Sequence, residues 1–300
     1  MLMLMKLILT MLCALIGVAF LTLLERKILS YVQNRKGPNK VGLVGLFQPF
    51  SDALKLFLKE KIIPNASNKY MFIGFPILGL GLGLYMWGLL PSLNAFSLTI
   101  MPLLLFLCIS AMNVYVVMGA GWCSNSLYAF LGAMRASAQT ISYEISLVFL
   151  ILFPMLLLPS FSFFEVLVAY PAIGLLFFSP LLWVISALAE TNRAPFDFAE
   201  GESELVSGFN VEYGGGSFAL LFLGEYTIIL FMSVLTSACF LSPRYLFLYV
   251  FLGFVVAVIF LLVRGVFPRL RYDKLMNLCW KSILPLSISC LFLLYFTFLL

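Results

Sequence analysis

Residues 246–266 read LFLYVFLGFVVAVIFLLVRGV, eighteen residues without a charge before Arg264, and the chain then turns polar at once in Phe267-Pro268-Arg269-Leu270-Arg271-Tyr272-Asp273-Lys274. About 20 apolar residues in helical form cross the hydrocarbon core of a bilayer. The stretch therefore reads as a spanning helix that emerges into a charged loop. Seven more stretches share this character, near 2–24, 70–90, 100–120, 136–158, 169–189, 217–240 and 281–300. With 63% hydrophobic residues, 10% charged residues and a mean hydropathy of +1.10, the chain lies outside the soluble globular class. We read residues 1–300 as a single all-α, polytopic membrane domain with eight transmembrane helices. The first stretch is expected to persist as a helix rather than act as a signal peptide, because only Lys6 precedes its run and no small-residue cleavage site follows.

With eight spans, the connections after helices 1, 3, 5 and 7 share one side of the membrane. They hold 16 of the 18 Lys and Arg residues, leaving Lys6 and Arg244 opposite, and only Glu165 of the thirteen acids falls in an outer connection. The positive-inside rule puts these loops in the cytosol or its mitochondrial equivalent, the matrix, with both termini facing out. Chemistry and partners belong to that inner face. The six cysteines, Cys13, Cys108, Cys123, Cys239, Cys279 and Cys290, show no paired spacing, and the chain has no histidine. No metal or iron–sulfur site is encoded by such a pattern, so any redox centre is expected in another protein.

Between helices 1 and 2, the basic turn Arg35-Lys36-Gly37-Pro38-Asn39-Lys40 leads to Gln48-Pro49-Phe50. Leu46, Phe50, Leu54 and Phe57 then recur every three to four residues against Asp52, Lys55 and Lys59. That is an amphipathic helix started by Pro49 and closed before Pro64, expected to lie flat in the interface. It could be a basic anchor on anionic lipid, or the sill of a lateral opening for a lipid-like molecule. Between helices 5 and 6, Glu190, Asp197, Glu200, Glu202, Glu204 and Glu212 stand against Arg193 alone. A charge run is often just solvated, but Phe196, Phe198, Leu205, Val206 and Phe209 interleave with it and argue for a folded segment. Asp197, Glu200 and Glu204 would share a face if the segment were helical.

Two acids enter the membrane itself. Glu144 lies nine residues past Arg135 and Glu225 eight past Ser217, which sets each roughly 12–14 Å in from the inner surface at 1.5 Å per residue. Intramembrane carboxylates are expensive, and each is a candidate functional group by default. Apart from Lys6 near the N-terminus, the outer halves of the helices carry no ionisable side chain beyond Tyr and Cys, so the acids form half a pathway across the membrane. Two glycine runs are weaker signals. Gly79, Gly81 and Gly83 sit inside a span and suit helix packing better than nucleotide binding, and Gly214-Gly215-Gly216 suits a flexible turn better than a phosphate cradle.

Several longer stretches resemble one family. Glu25-Arg26-Lys27, residues 33–40 (QNRKGPNK), residues 48–57 (QPFSDALKLF), residues 135–144 (RASAQTISYE), residues 189–213 (AETNRAPFDFAEGESELVSGFNVEY) and residues 268–276 (PRLRYDKLM) are similar to the first membrane subunits of the NADH:ubiquinone oxidoreductases, respiratory complex I. The resemblance spans the chain and implies a subunit of a proton-translocating reductase with no metal, flavin or iron–sulfur cluster of its own. Such a subunit binds ubiquinone as substrate, at the junction of a peripheral and a membrane arm. Glu25, Arg26, Arg35, Phe50, Asp52, Phe57, Phe222 and Tyr226 match the family's quinone tunnel and its mouth. Glu144, Glu190, Asp197, Glu200, Glu202, Glu204, Glu212 and Glu225 match its proton-coupling carboxylates. The implied partners are hydrophilic quinone-reducing and iron–sulfur subunits, neighbouring membrane-arm subunits and membrane lipid, with no nucleic acid. Cys123, Leu127 and the end at Leu300 depart from the family pattern. The short termini, the Phe-rich composition and the missing histidine suit a mitochondrially encoded version, in the inner membrane with its polar loops in the matrix and its termini in the intermembrane space.

Two readings from other classes compete. An autonomous proton or cation transporter would need a path through the outer half of the membrane, and no inverted repeat of broken helices is visible. A lipid-modifying enzyme would use the lateral opening but has no histidine, metal motif or nucleophile elbow.

Overall fold

In a computed structural model, residues 2–91, 101–157, 162–168, 171–174, 177–197, 208–243 and 245–299 are described, and no strand occurs among them. The helices are α1 (Leu2–Val32), α2 (Gln48–Leu58), α3 (Lys69–Trp87), α4 (Pro102–Cys123), α5 (Leu127–Leu156), α6 (Phe163–Val168), α7 (Phe178–Glu190), α8 (Gly216–Thr236), α9 (Leu246–Val266), α10 (Tyr272–Leu278) and α11 (Leu284–Leu299). One π-helical turn, Ser237–Leu241, extends α8, and another, Cys279–Ile283, joins α10 to α11.

Among the described residues, seven helical stretches are long and apolar enough to cross a membrane. The expected fifth span contains α7, which has 13 residues and so covers only about 20 Å at 1.5 Å per residue. The described structure therefore carries seven such stretches where eight were expected. Other boundaries also move. The helix expected over 136–158 begins at Leu127, and the one expected over 2–24 runs on to Val32. Both are longer than the roughly 20 residues a bilayer requires, so Glu25 and Arg135 sit on helix rather than in loops.

α3 packs on α4 and α8, α4 on α5, α5 on α7 and α11, and α8 on α1 and α9. α5 and α8 are central, with 61% of their most apolar windows buried, against 22% for α1. The core between them includes Tyr143, Leu147, Phe153, Trp183, Phe231 and Phe240. Large apolar side chains also cover the outside, such as Ile8, Leu9 and Leu12 on α1 and Phe247, Phe251 and Phe254 on α9. An outer surface of this kind is stable in lipid and not in water, and the chain is a membrane protein.

Small residues set the central crossing. A Cβ on Gly83 would stand 2.2 Å from Thr227 Oγ1, and one on Gly224 would stand 3.3 Å from the Gly79 carbonyl carbon. Gly79 and Gly83 thus serve packing, while Gly81 meets nothing within 4 Å. Gly215, at φ +64°, turns the chain into α8 where a Cβ would come within 3.1 Å of the Glu60 carbonyl oxygen. The glycine run is a tight turn rather than a loose one.

Candidate functional site

The turn after α7 organises the site. Helix α7 ends in a Schellman motif: Asn192 adopts φ +50°, its N–H donates to Ala189 O at 3.3 Å, and Arg193 N–H donates to Leu188 O at 3.3 Å. Asn tolerates this left-handed conformation better than most residues, so the local sequence supports the turn. A second tight turn follows, with Phe196 N–H donating to Arg193 O at 2.8 Å, and Leu270 N–H donates to Pro195 O at 3.1 Å.

On one side of this turn lies an ion cluster. Glu25 on α1 is 5% exposed. Its Oε1 accepts from Arg193 at 3.2 Å and from Arg264 on α9, and its Oε2 accepts from the Tyr226 hydroxyl at 2.6 Å. The Arg193 guanidinium also lies 4.2 Å over the Tyr226 ring, a cation–π placement. One carboxylate facing two guanidinium groups and a phenol is well satisfied, as a buried charge must be. A row of rings leads to it along α8. Phe218 and Phe222 are 4.5 Å apart and Phe222 and Tyr226 6.0 Å apart, centroid to centroid. At the start of α8, Phe57 of α2 lies 3.9 Å from where a Gly216 Cβ would stand.

The other expected tunnel residues form a separate rim. Arg26 Nη1 donates to Asp52 Oδ2 at 2.5 Å, and Gln48 Nε2 donates to Asp52 Oδ1 at 3.0 Å. The Phe50 ring, 45% exposed, meets Phe20 of α1 edge-on at 6.1 Å. This joins α2 to α1. Arg35 is exposed and enters no ion pair among the described residues.

On the opposite side of the turn, a cavity of about 40 Å³ is lined by Asn113, Glu190, Thr191, Asn192 and Glu225, with Gly79 and Gly224 at the helix crossing. That volume exceeds what a water needs, and the polar lining gives water partners. Glu190 Oε2 is buried without a hydrogen bond among the described residues. Glu144 of α5, which accepts from Ser110 Oγ at 3.2 Å, lies within electrostatic range of Glu190. Glu144 and Glu225, expected as a pair at mid-membrane, are thus both neighbours of Glu190, and Glu144 does not line the cavity. Thr191 borders this cavity and a smaller one, of about 10 Å³, beside Arg193, Tyr226 and Arg264.

The remaining acids are not gathered there. Asp197, 5% exposed, accepts from Arg269 at 3.4 Å on the ion-cluster side. Glu212 stands half-buried on the turn before Tyr213. Tyr213 itself stacks on Phe72 at 4.1 Å and donates to Ala120 O at 3.2 Å, and burial, with the Cys123 thiol nearby, pushes its phenol above the ordinary range. Glu200, Glu202 and Glu204 lie outside the described residues. Sequence reasoning missed Arg193, Arg264, Asn113 and Asn192 as site residues. Two signals were present: Arg264 falls within the most apolar helix, and Arg193 is the only cation in an acidic loop.

The comparisons with known proteins agree with the motifs. A family profile described as NADH dehydrogenase matches residues 5–295. The NADH-ubiquinone oxidoreductase chain 1 of Aedes aegypti is 53% identical over 289 residues, covering 95% of this chain and 92% of the relative. The proteins of that name from Anopheles gambiae and Locusta migratoria are 52% and 50% identical, each with the same 95% and 92% coverage. With the profile spanning nearly all of the sequence and relatives matching at half their positions or more, the chain belongs to the NADH dehydrogenase family.

Proposed function

We propose that the chain is a membrane subunit of an NADH:ubiquinone oxidoreductase, respiratory complex I, in the mitochondrial inner membrane. In this reading it is one domain with eight spans, α7 lying within the fifth, and its polar loops face the matrix. Helix α2 lies in the interface as the sill of a lateral opening, and a quinone passes Phe50 and the rings of Phe57, Phe222 and Tyr226 toward Glu25. Reduction of a quinone to a quinol takes up two electrons and two protons. The chain has no histidine and no paired cysteines, and in this reading the electrons come from hydrophilic partners docked on the inner face. The part left to this chain is to guide the quinone, to balance charge around it and to pass the change on to the acids Glu144, Glu190, Glu225, Asp197, Glu200, Glu202, Glu204 and Glu212, toward neighbouring membrane-arm subunits.

One observation carries the proposal. Residues 190–193 present Arg193 to the Glu25 cluster on one side and Glu190 to the acidic cavity on the other. A charge change at the cluster is therefore only three residues of backbone away from the carboxylates. The test uses Glu144→Gln and Glu225→Gln in the assembled complex. Each is expected to lower coupled quinone reductase activity by about tenfold, ~1.4 kcal/mol in the barrier, relative to NADH oxidation by an artificial acceptor in the peripheral arm. Unchanged quinone turnover and pumping in both variants would sink the proposal, and proton transport by the purified chain alone in liposomes would favour an autonomous transporter.

A further inference from the structure

The segment from Glu190 to Asp197 is shared by both halves of the site, and one side chain ties its two ends to the bundle. Gln139, on α5, is 0% exposed. Its Nε2 donates to Ala189 O and to Phe196 O, each at 2.8 Å. Only an atom with two hydrogens serves two carbonyl oxygens in this way, which settles the orientation of the amide. The acceptors bracket the Schellman turn, one just before Glu190 and the other just before Asp197. Between them the backbone reverses, so that Glu190 borders the acidic cavity while Arg193 reaches Glu25. Gln139 Oε1, meanwhile, is buried with no hydrogen bond among the described residues. A buried amide with an unsatisfied oxygen is a poor space filler, since an apolar side chain of that size would carry no such cost. What the amide supplies is its pair of donors.

We propose that Gln139 is the positioning residue that holds Glu190 and Arg193 in a fixed mutual relation, so that the quinone-side ion cluster and the carboxylate cavity respond as one unit. The inference rests on the function proposed above and names a residue that acts through Glu190 and Arg193 without touching the quinone.

The experiment compares Gln139→Met and Gln139→Glu in the assembled complex, with rates normalised to NADH oxidation by the artificial acceptor. Met keeps the length and removes both donors. Glu, held protonated by burial, keeps one. The expected order of coupled turnover is wild type, then Glu, then Met, with kcat falling and quinone KM rising about fivefold to tenfold in Met, up to ~1.4 kcal/mol on either parameter. A residue that merely filled space would reverse the order, Met matching wild type and Glu being the worse. That reversal, or Met indistinguishable from wild type in both parameters, overturns the proposal. Should Met prevent assembly, the Glu variant decides: reduced turnover with a raised KM supports the role, and wild-type kinetics refute it. Glu190→Gln and Arg193→Lys are measured alongside. If these alter turnover while the Gln139 variants do not, the positioning role fails and the proposed function stands; if all are silent, the proposed function fails as well.

Discussion

Glu25→Gln tests the ion cluster at its most buried point. The amide preserves the shape, and its oxygen still accepts from Tyr226, but the negative charge facing Arg193 and Arg264 is gone. The Glu25 side chain is 6% exposed and that of Arg193 11%, so this pair is dry, whereas the Arg264 side chain at 29% is partly hydrated. Removing one member of a buried ion pair costs about 3–5 kcal/mol, chiefly because the opposite charge is left stranded. Water at Arg264 moves the expectation to the lower end, about 3 kcal/mol. Arg193 ties α1 to the turn after α7, so the loss falls on local opening of residues 190–197 rather than on the whole bundle. At 1.4 kcal/mol per factor of ten, that is roughly a hundredfold. Hydrogen exchange read by mass spectrometry on the assembled complex measures it, through the amides of Arg193 and Phe196, which donate to Leu188 O and Arg193 O. They are expected to exchange about a hundredfold faster. Adding Arg193→Gln to this variant should cost less than Arg193→Gln alone, because the partner is already lost. Exchange within about threefold of wild type, or full additivity, would refute the claim that the cluster holds the turn.

Two further outcomes follow from the packing. Gly83→Ala puts a Cβ 2.2 Å from Thr227 Oγ1 and should lower stability by about 1–3 kcal/mol through overpacking, read as a lower thermal midpoint of the solubilised complex. Gly81→Ala, with nothing within 4 Å, should be neutral or slightly stabilising, and an equal loss in both would count against the close crossing of α3 and α8. Arg26→Gln removes a pair that is close but open, with side chains 52% and 35% exposed. Its loss should stay under about 1 kcal/mol and shrink further in salt. A midpoint drop as large as that of Gly83→Ala would mean that the rim of α2 is dry in the assembled complex.

The spans were legible because hydropathy is a local property, and runs such as 246–266 must be buried in lipid or protein wherever the rest of the chain goes. Their ends were less legible. Residues 127–135 fall outside the span expected over 136–158, yet they are helical where Gly121 and Gly132 let α5 approach α4 and the 208–210 turn closely, a Cβ at Gly132 standing only 3.0 Å from the Gly208 backbone. Helix α2 was readable from Pro49 and its three-to-four-residue apolar period, and it forms as Gln48–Leu58. The glycine run in α3 was read correctly as packing, although only the structure separates Gly79 and Gly83 from the unopposed Gly81.

From the sequence alone come the solvent, the apolar helices and the gathering of most charge between or at the ends of them, since each depends on residue type and spacing along a short stretch. The tertiary structure alone decides which charges meet. Glu25 finds Arg193, Tyr226 and Arg264 at separations of 168, 201 and 239 residues along the chain, and the turn between Glu190 and Arg193 faces two sites because Gln139 on another helix holds both its ends. No local rule encodes these pairings. They exist because burying a charge is tolerable only beside its partner, and the partners arrive on helices brought together by packing.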